Sequence, residues 1–458
     1  MAKEAVAAVA ERGQTGITNV NACVSTTEAS RASKDNASWR EWVVANQIGC
    51  SLSILGTILA VHTFVPFLRA YTTPYLELPH YHPETGKYTQ GLDDVYFIIS
   101  SMLGFTATRA IVIDWLFYPI ASQLGLRHKQ SVRFAEQGWL LVYYLAFWAY
   151  GMNIWYHSSY WYNFRAIWAD WPTREVSGSV KLYCLLQLSF WVQQIFVIHI
   201  EAKRKDHAQM FIHHIITSTL LGSAYVYSFY NVANVVLCLM DIVDYMLPFA
   251  KMLKYLGFER ACTVAFGVFL TTWIVARHFI YMGLWWSIHK TVPTDVPFGC
   301  YSGITGKQLS TGSPDLLFHI FNPFLDLNGP ICMTGTIKVI FLGMLLLLQV
   351  LSLIWLGMII KVALGVLWTG SSAEDTRSDD EEDVDAGEPK EKAGTSSARI
   401  MSPPSGSEGS AWSRSVMPNG SNHQSHPVRI RTTRGRVTLS DHNDRKALLG
   451  RIGCDKPT

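Results

Sequence analysis

The chain has 458 residues, of which 49% are hydrophobic, 13% aromatic and only 16% charged, too few charges for an ordinary soluble domain, where about a quarter is usual. The formal net charge of +3 comes from scattered basic residues and leaves no nucleic-acid footprint, and the eight cysteines form no CxxC pattern of a zinc or thiol-redox motif. A membrane protein fits this composition, with polar tails at residues 1–46 and 369–458 flanking a strongly apolar middle.

Residues 1–46 are rich in Ala, Thr and Ser and lack an apolar stretch of about 7 to 15 residues, so no cleaved signal peptide is expected. A membrane-crossing helix needs about 20 mostly apolar residues. Eight segments meet this: near 47–67, 95–119, 138–157, 180–200, 209–230, 232–249, 263–286 and 336–368. The expected fold is an all-α polytopic membrane bundle. It divides into a tail at 1–46, a first pair of spans with their loops at 47–129, a helical domain at 130–368 and a disordered acidic, serine-rich tail at 369–458.

An even number of spans places both termini on one side, and Lys and Arg in the connections say which. Lys3, Arg12, Arg31, Lys34 and Arg40 lie on one side, with Arg127, Lys129, Arg133, Lys203, Arg204, Lys205, Lys251, Lys254 and Arg260. The opposite connections hold only Arg69, Lys87, Arg165, Arg174, Lys290 and Lys307, so both tails are expected in the cytosol. The sequons at Asn36 and Asn419 then stay unglycosylated. Ser378 precedes the acidic run Asp379–Asp383 and suits an acid-directed kinase, with an unmodified solvated tail about equally favoured. Cys300 and Cys332 share one connection; a disulfide requires that loop to face an oxidising lumen, and two unrelated thiols are the favoured reading.

Ionisable side chains at membrane depth are costly and mark function by default. His213 and His214 lie in the fifth predicted span, and Asp241 and Asp244 in the returning sixth. A hairpin pivoting near 228–231 brings the four to similar depth at about 1.5 Å rise per residue. The i,i+3 carboxylates could hold the imidazoles by hydrogen bonds and raise the basicity of the free nitrogen. That is the arrangement of a base or nucleophile with its orienter. Two other readings stand beside it: inter-helix hydrogen bonding without chemistry, and a metal site built from two His and two Asp. Arg277 with His278, and Arg109 with Asp114, could bind a phosphate-bearing substrate or simply snorkel and pair.

The segment His213-His214-x2-Thr217-x5-Ser223-x-Tyr225-x3-Phe229, followed by Met240-Asp241-x2-Asp244, resembles the longevity-assurance motif of ceramide synthases in the TLC-domain family. Trp191-Val-Gln193-Gln194 and Arg204-Lys205-Asp206 resemble the family's approach to the histidines, and Arg277-His278 with Leu284-Trp285-Trp286-Ser287 its later span. Methionine before the first aspartate and the acidic, serine-bearing tail are similar to the fungal branch. The sequence departs at Val243 and Ala233, where the family favours Ser and Gly, and neither change removes a titratable group.

The resemblance implies transfer of a fatty acyl group from acyl-CoA, as co-substrate, to the amine of a sphingoid base in the endoplasmic reticulum membrane, without a bound cofactor or metal. His213, His214, Asp241 and Asp244 would be catalytic, and Trp191, Gln194, Tyr225, Arg277 and His278 would contact substrate. A small regulatory membrane subunit and a homodimer are further expectations. The competing classes are a non-enzymatic TLC-type lipid sensor or translocon-associated protein, and a metal-dependent membrane lipid hydrolase.

Overall fold

The computed structural model describes residues 41–369 apart from 170, 173, 201–205, 304 and 311–317. Ser378, the sequons at Asn36 and Asn419, and the basic Lys203-Arg204-Lys205 segment lie outside the described residues.

Eight long helices carry the described chain, separated by short helical and strand elements. Helix α1 (Glu41–Phe64) is followed by the short α2 (Arg69–Leu76), then by a two-stranded hairpin of β1 (Tyr81–His82) and β2 (Lys87–Tyr88). Next come α3 (Asp94–Gln123), α4 (His128–Tyr156), α5 (Gly178–Ile200), α6 (His207–Val226), α7 (Tyr230–Tyr255) and α8 (Glu259–Asp295). A second small sheet and helix follow: β3 (Gly299–Tyr301), β4 (Gln308–Ser310), α9 (Phe318–Leu325) and β5 (Ile331–Met333). The chain then enters α10 (Gly335–Thr369).

Six of these helices, α1, α3, α5, α7, α8 and α10, are long and apolar enough to cross a membrane. Helices α4 and α6 fall short because they hold polar side chains where the others hold Leu and Val. Helix α4 opens with Lys129, Gln130, Arg133, Glu136 and Gln137, and α6 carries His207, Gln209, His213, His214 and Thr217. Length and apolarity therefore support six spans, and the expected eight rests on the other two also crossing as members of the bundle. Backbone polar groups in lipid must be satisfied within the element, which is why long helices dominate.

The turns that reverse the chain are capped locally. Helix α7 ends with Gly257 in the left-handed region (φ 78°), where Phe258 N–H donates to Leu253 O and Gly257 N–H to Lys254 O, both at 3.0 Å. This is the paired-bond cap that glycine allows without steric cost. The α6–α7 turn uses the same bonds, Phe229 to Ala224 O at 2.7 Å and Ser228 to Tyr225 O at 3.2 Å, but with Ser228 in the left-handed position (φ 58°). Gln90 Nε2 reaches the Ser228 hydroxyl at 3.3 Å and helps hold it there.

Helix α7 packs along α4 and α8, whereas α6 packs on α5 and α10. The two arms of the α6–α7 hairpin thus diverge from their turn, and the wedge between them is where the site lies. In the connection after α8, antiparallel β3 and β5 place Cys300 opposite Cys332, and the two sulfurs are bonded. The expectation of two unrelated thiols is corrected here: strand register, which the cysteine spacing does not reveal, makes the residues direct cross-strand neighbours.

Candidate active site

His213 and His214 are successive on α6, so their side chains point about 100° apart. Both rings nevertheless pack against Trp191 of α5, with centroids 5.3 and 5.5 Å away. His213 also meets the edge of Trp355 on α10 at 5.2 Å. One turn further along α6, the Thr217 hydroxyl lies 3.4 Å from His213 Nδ1, which leaves Nε2 for chemistry. His214 is buried and its Nδ1 has no hydrogen-bond partner among the described residues.

The carboxylates do not hold these rings. Asp241 is fully buried, and its Oδ2 accepts from Gln187 Nε2 of α5 at 2.8 Å. Asp244 Oδ1 lies 2.6 Å from Arg277 Nη2 of α8, and the same nitrogen donates to Met240 O at 2.9 Å. Among the described residues no hydrogen bond joins either histidine to either aspartate, which corrects the expected imidazole–carboxylate pairing. The reason is twofold. The hairpin arms diverge, and residues three apart on a helix still differ by about 60° in direction, enough for one carboxylate to face α5 and the other α8. Nor do the four form a metal cage: among the described residues the only three ligand groups whose atoms lie within 4.8 Å of one another are Cys300, His319 and Cys332. Two of those sulfurs are already bonded to each other.

Two cavities meet at this point. A narrow one of about 980 Å³ is walled by apolar side chains of α6, α7, α8 and α10, among them Leu220, Leu237, Ile288 and Leu345, and ends near Trp168, Phe229 and Met333. A wide one of about 2430 Å³, counted to its open mouth, reaches the opposite end of the bundle, where Gln130, His207, Lys251 and Lys254 line it. Among the described residues only Trp191, His213, Asp244 and Arg277 line both. His214 faces the wide cavity alone. An imidazole at the neck between an apolar slot and a polar vestibule can serve a reaction whose substrate has one greasy and one charged end.

The other residues singled out in the sequence divide. Gln194 lines the wide cavity and donates to Gln193 Oε1 at 3.2 Å. Arg109 also lines the wide cavity, whereas Asp114 lines neither. Tyr225 is not brought to the site: it is buried near the far end of α6, donating to Asp94 Oδ2 at 2.7 Å. It belongs to a polar cluster in which Lys181 Nζ lies 2.6 Å from Asp94 Oδ1 and Gln90 joins Arg174 and Tyr230. His278 turns away from both cavities to Gln349 of α10, whose Nε2 lies 2.6 Å from its Nδ1.

Gln187, Thr217 and Trp355 escaped the sequence-level choice of site residues. Gln187 had a usable signal, since a side-chain amide in the middle of an apolar run is itself unusual at membrane depth. Trp355 had none, because tryptophans are common in such chains.

The TLC domain family matches residues 133–361, which is half of the chain and contains every residue of the neck. The chain is 46% identical to a sphingosine N-acyltransferase-like protein of Alternaria alternata over 345 residues, 74% of this chain and 77% of that one. It is 40% identical to a ceramide synthase of Gibberella moniliformis, covering 73% and 79% of the two chains. It is likewise 40% identical to a sphingosine N-acyltransferase of Schizosaccharomyces pombe, covering 70% and 76%. The chain belongs to the ceramide synthase branch of the TLC-domain family. As a fungal-type ceramide synthase it is a multi-pass membrane acyltransferase.

Proposed function

We propose that the chain transfers a fatty acyl group from acyl-CoA to the amino group of a sphingoid base, dihydrosphingosine or its hydroxylated form, and that His213 carries the transfer. The observation behind this reading is that His213 lines both cavities at their junction. The apolar slot suits the acyl chain, which gains about 25 cal/mol for each Å² of apolar surface removed from water. The wide vestibule, with Arg109, Lys251 and Lys254 among its lining residues, suits the phosphates of coenzyme A. The thioester then spans the neck, with its carbonyl carbon beside the imidazole.

His213 serves there as the base that takes the proton of the attacking amine, or as the nucleophile that first accepts the acyl group. Thr217 beside Nδ1 fixes the ring, and Trp191 and Trp355 wedge it between α5 and α10. His214 shapes the vestibule wall beside it. Asp241 ties α7 to α5, and Asp244 holds Arg277 at the neck. The vestibule opens on the side of the Lys- and Arg-rich connections, so the coenzyme enters from the cytosol and both termini lie there, in the endoplasmic reticulum membrane. A small regulatory membrane subunit and a homodimer remain part of this proposal from the family likeness, and acid-directed phosphorylation of Ser378 from the carboxylates that follow it.

The test uses the purified full-length chain in lipid nanodiscs with a ladder of acyl-CoAs and a long-chain base. Release of coenzyme A thiol should match N-acyl product mole for mole. His213→Asn should lower the rate by on the order of 10²–10⁴, the usual contribution of a positioned acid–base group. A wild-type chain that binds acyl-CoA but releases no thiol, or a His213→Asn chain at wild-type rate, rules the proposal out.

A further inference from the structure

Arg277 is the second functional group at the neck, and neither phosphate binding nor helix pairing accounts for the full geometry of its guanidinium. It is 4% exposed and lines both cavities together with His213. Its Nη2 is fully committed to Asp244 Oδ1 and Met240 O. The guanidinium lies over the Trp273 ring, with Cζ 4.2 Å from the centroid. Its Nε, also shielded from solvent, has no hydrogen-bond partner among the described residues. A buried donor left unmatched costs about 1–3 kcal/mol, and in a side chain that lines both cavities a ligand oxygen could recover that cost.

The backbone adds an independent sign. Arg277 sits in a π-helical turn, Val275–Ile280, inside the otherwise α-helical α8. Such a turn inserts an extra residue into the helical repeat, is rare, and gathers at functional sites. Arg277 lies within it at the neck, while His278, the next residue round the helix, turns to Gln349 of α10.

We infer that Arg277 is a catalytic residue of the acyl transfer, its Nε–H donating to the oxyanion that forms on the thioester carbonyl, with Asp244 as its positioning residue. The inference rests on the acyl-transfer reading given above. The amine nitrogen, or first His213, bonds to the carbonyl carbon, and the C=O π pair moves onto oxygen, where the guanidinium meets it. The pair returns to re-form C=O as the C–S bond breaks. Sulfur leaves with the bonding electrons as the coenzyme thiolate, and the amine proton passes to His213 and from it to the thiolate. Where His213 bonds first, the amine then adds to the acyl-imidazole carbonyl, and the C–N bond to the ring breaks with its electron pair returning to the ring nitrogen. The amine proton then goes by way of the freed imidazole to the thiolate. Fixed donors aimed at developing charge in a water-poor site are among the strongest catalytic devices. An Nη2 clamped by carboxylate and carbonyl, with the plane laid on an indole, keeps the other donors, Nε–H among them, in place before the charge appears.

The test compares wild type, Arg277→Lys and Arg277→Ala as full-length chains in nanodiscs. Arg277→Lys retains the charge beside Asp244 but has no Nε–H, and its kcat should fall by roughly 10²–10³, as on loss of one oxyanion donor. Its KM for acyl-CoA, and its affinity for a non-transferable thioether analogue of acyl-CoA, should stay close to wild type. In Arg277→Ala, added guanidinium chloride should raise kcat saturably, while sodium chloride at the same strength should not.

A folded Arg277→Lys chain with near wild-type kcat overturns the assignment, as does a loss expressed wholly in analogue binding, which would make Arg277 a phosphate or packing residue. Failure of both variants to fold, read by size exclusion and thermal melting, makes it structural and overturns it equally. A wild-type chain that forms no N-acyl product from any acyl-CoA and amine sinks the acyl-transfer reading instead, so the two failures are told apart.

Discussion

The two adjacent histidines are not equivalent, and the cavities they line separate their expected roles. His213 borders the slot and the vestibule, whereas His214 borders the vestibule only. His213→Asn should therefore abolish thiol release and amide formation together. His214→Asn should lower kcat and also raise the KM for acyl-CoA, because its ring packs on Trp191 at the vestibule wall. Initial-rate kinetics across an acyl-CoA series checks this, and a pure kcat effect in the His214 variant would contradict it. The two aspartates differ in the same way. Asp241→Ala leaves the Gln187 amide donor unmatched in a fully buried place, at a cost of about 1–3 kcal/mol. Asp241→Asn, whose amide oxygen can still accept from Gln187, should keep much of the wild-type thermal midpoint. Equal midpoints for the Ala and Asn variants would show that the Gln187 bond stabilises nothing.

At the scale of elements, the central packing is α4 against α5 and α7, and it depends on one absent side chain. A Cβ at Gly151 would stand 2.5 Å from Tyr183 Oη and 2.9 Å from Cys238 Sγ. The Gly151 carbonyl also accepts from Asn234 Nδ2 at 3.0 Å. Gly151→Val should force α7 away from α4, cost about 1–3 kcal/mol as overpacking does, and lower activity per folded molecule because α7 carries Asp244. An unchanged thermal midpoint and rate would show that the helices part without strain. The positions of the long helices were legible in the sequence, since a stretch of about 20 apolar residues has few other fates. Which helix each polar side chain faces was not. The hairpin geometry placed His213 and Asp244 at one depth, but divergence of α6 from α7 gave the carboxylates to Gln187 and Arg277 instead. Hydropathy does not register a π-turn, so the one at Val275–Ile280 could not be read from the sequence.

For the whole molecule, the question is which face of the bundle meets the cytosol, because the vestibule must open where acyl-CoA is found. The surplus of Lys and Arg lies on the connections that precede α4, α6 and α8. The connection between α8 and α10, at the other end of α8, holds the Cys300–Cys332 bond, and disulfides persist in oxidising compartments. The proposed orientation puts that connection in the lumen, and charge and sulfur support it by separate routes. Exposed Lys307 and Leu309 lie in it, beside or within β4, so the double change Lys307→Asn with Leu309→Thr creates an Asn-x-Thr acceptor on the surface without touching a buried group. Expressed in a fungal host, that variant should gain a glycan, seen as a mobility shift reversed by an endoglycosidase, while the native sequon at Asn36 stays unmodified. A glycan at Asn36 with none at the engineered site would invert the bundle. It would put the vestibule in the lumen, away from cytosolic acyl-CoA, and the assignment of that cavity to the coenzyme would fall with the orientation.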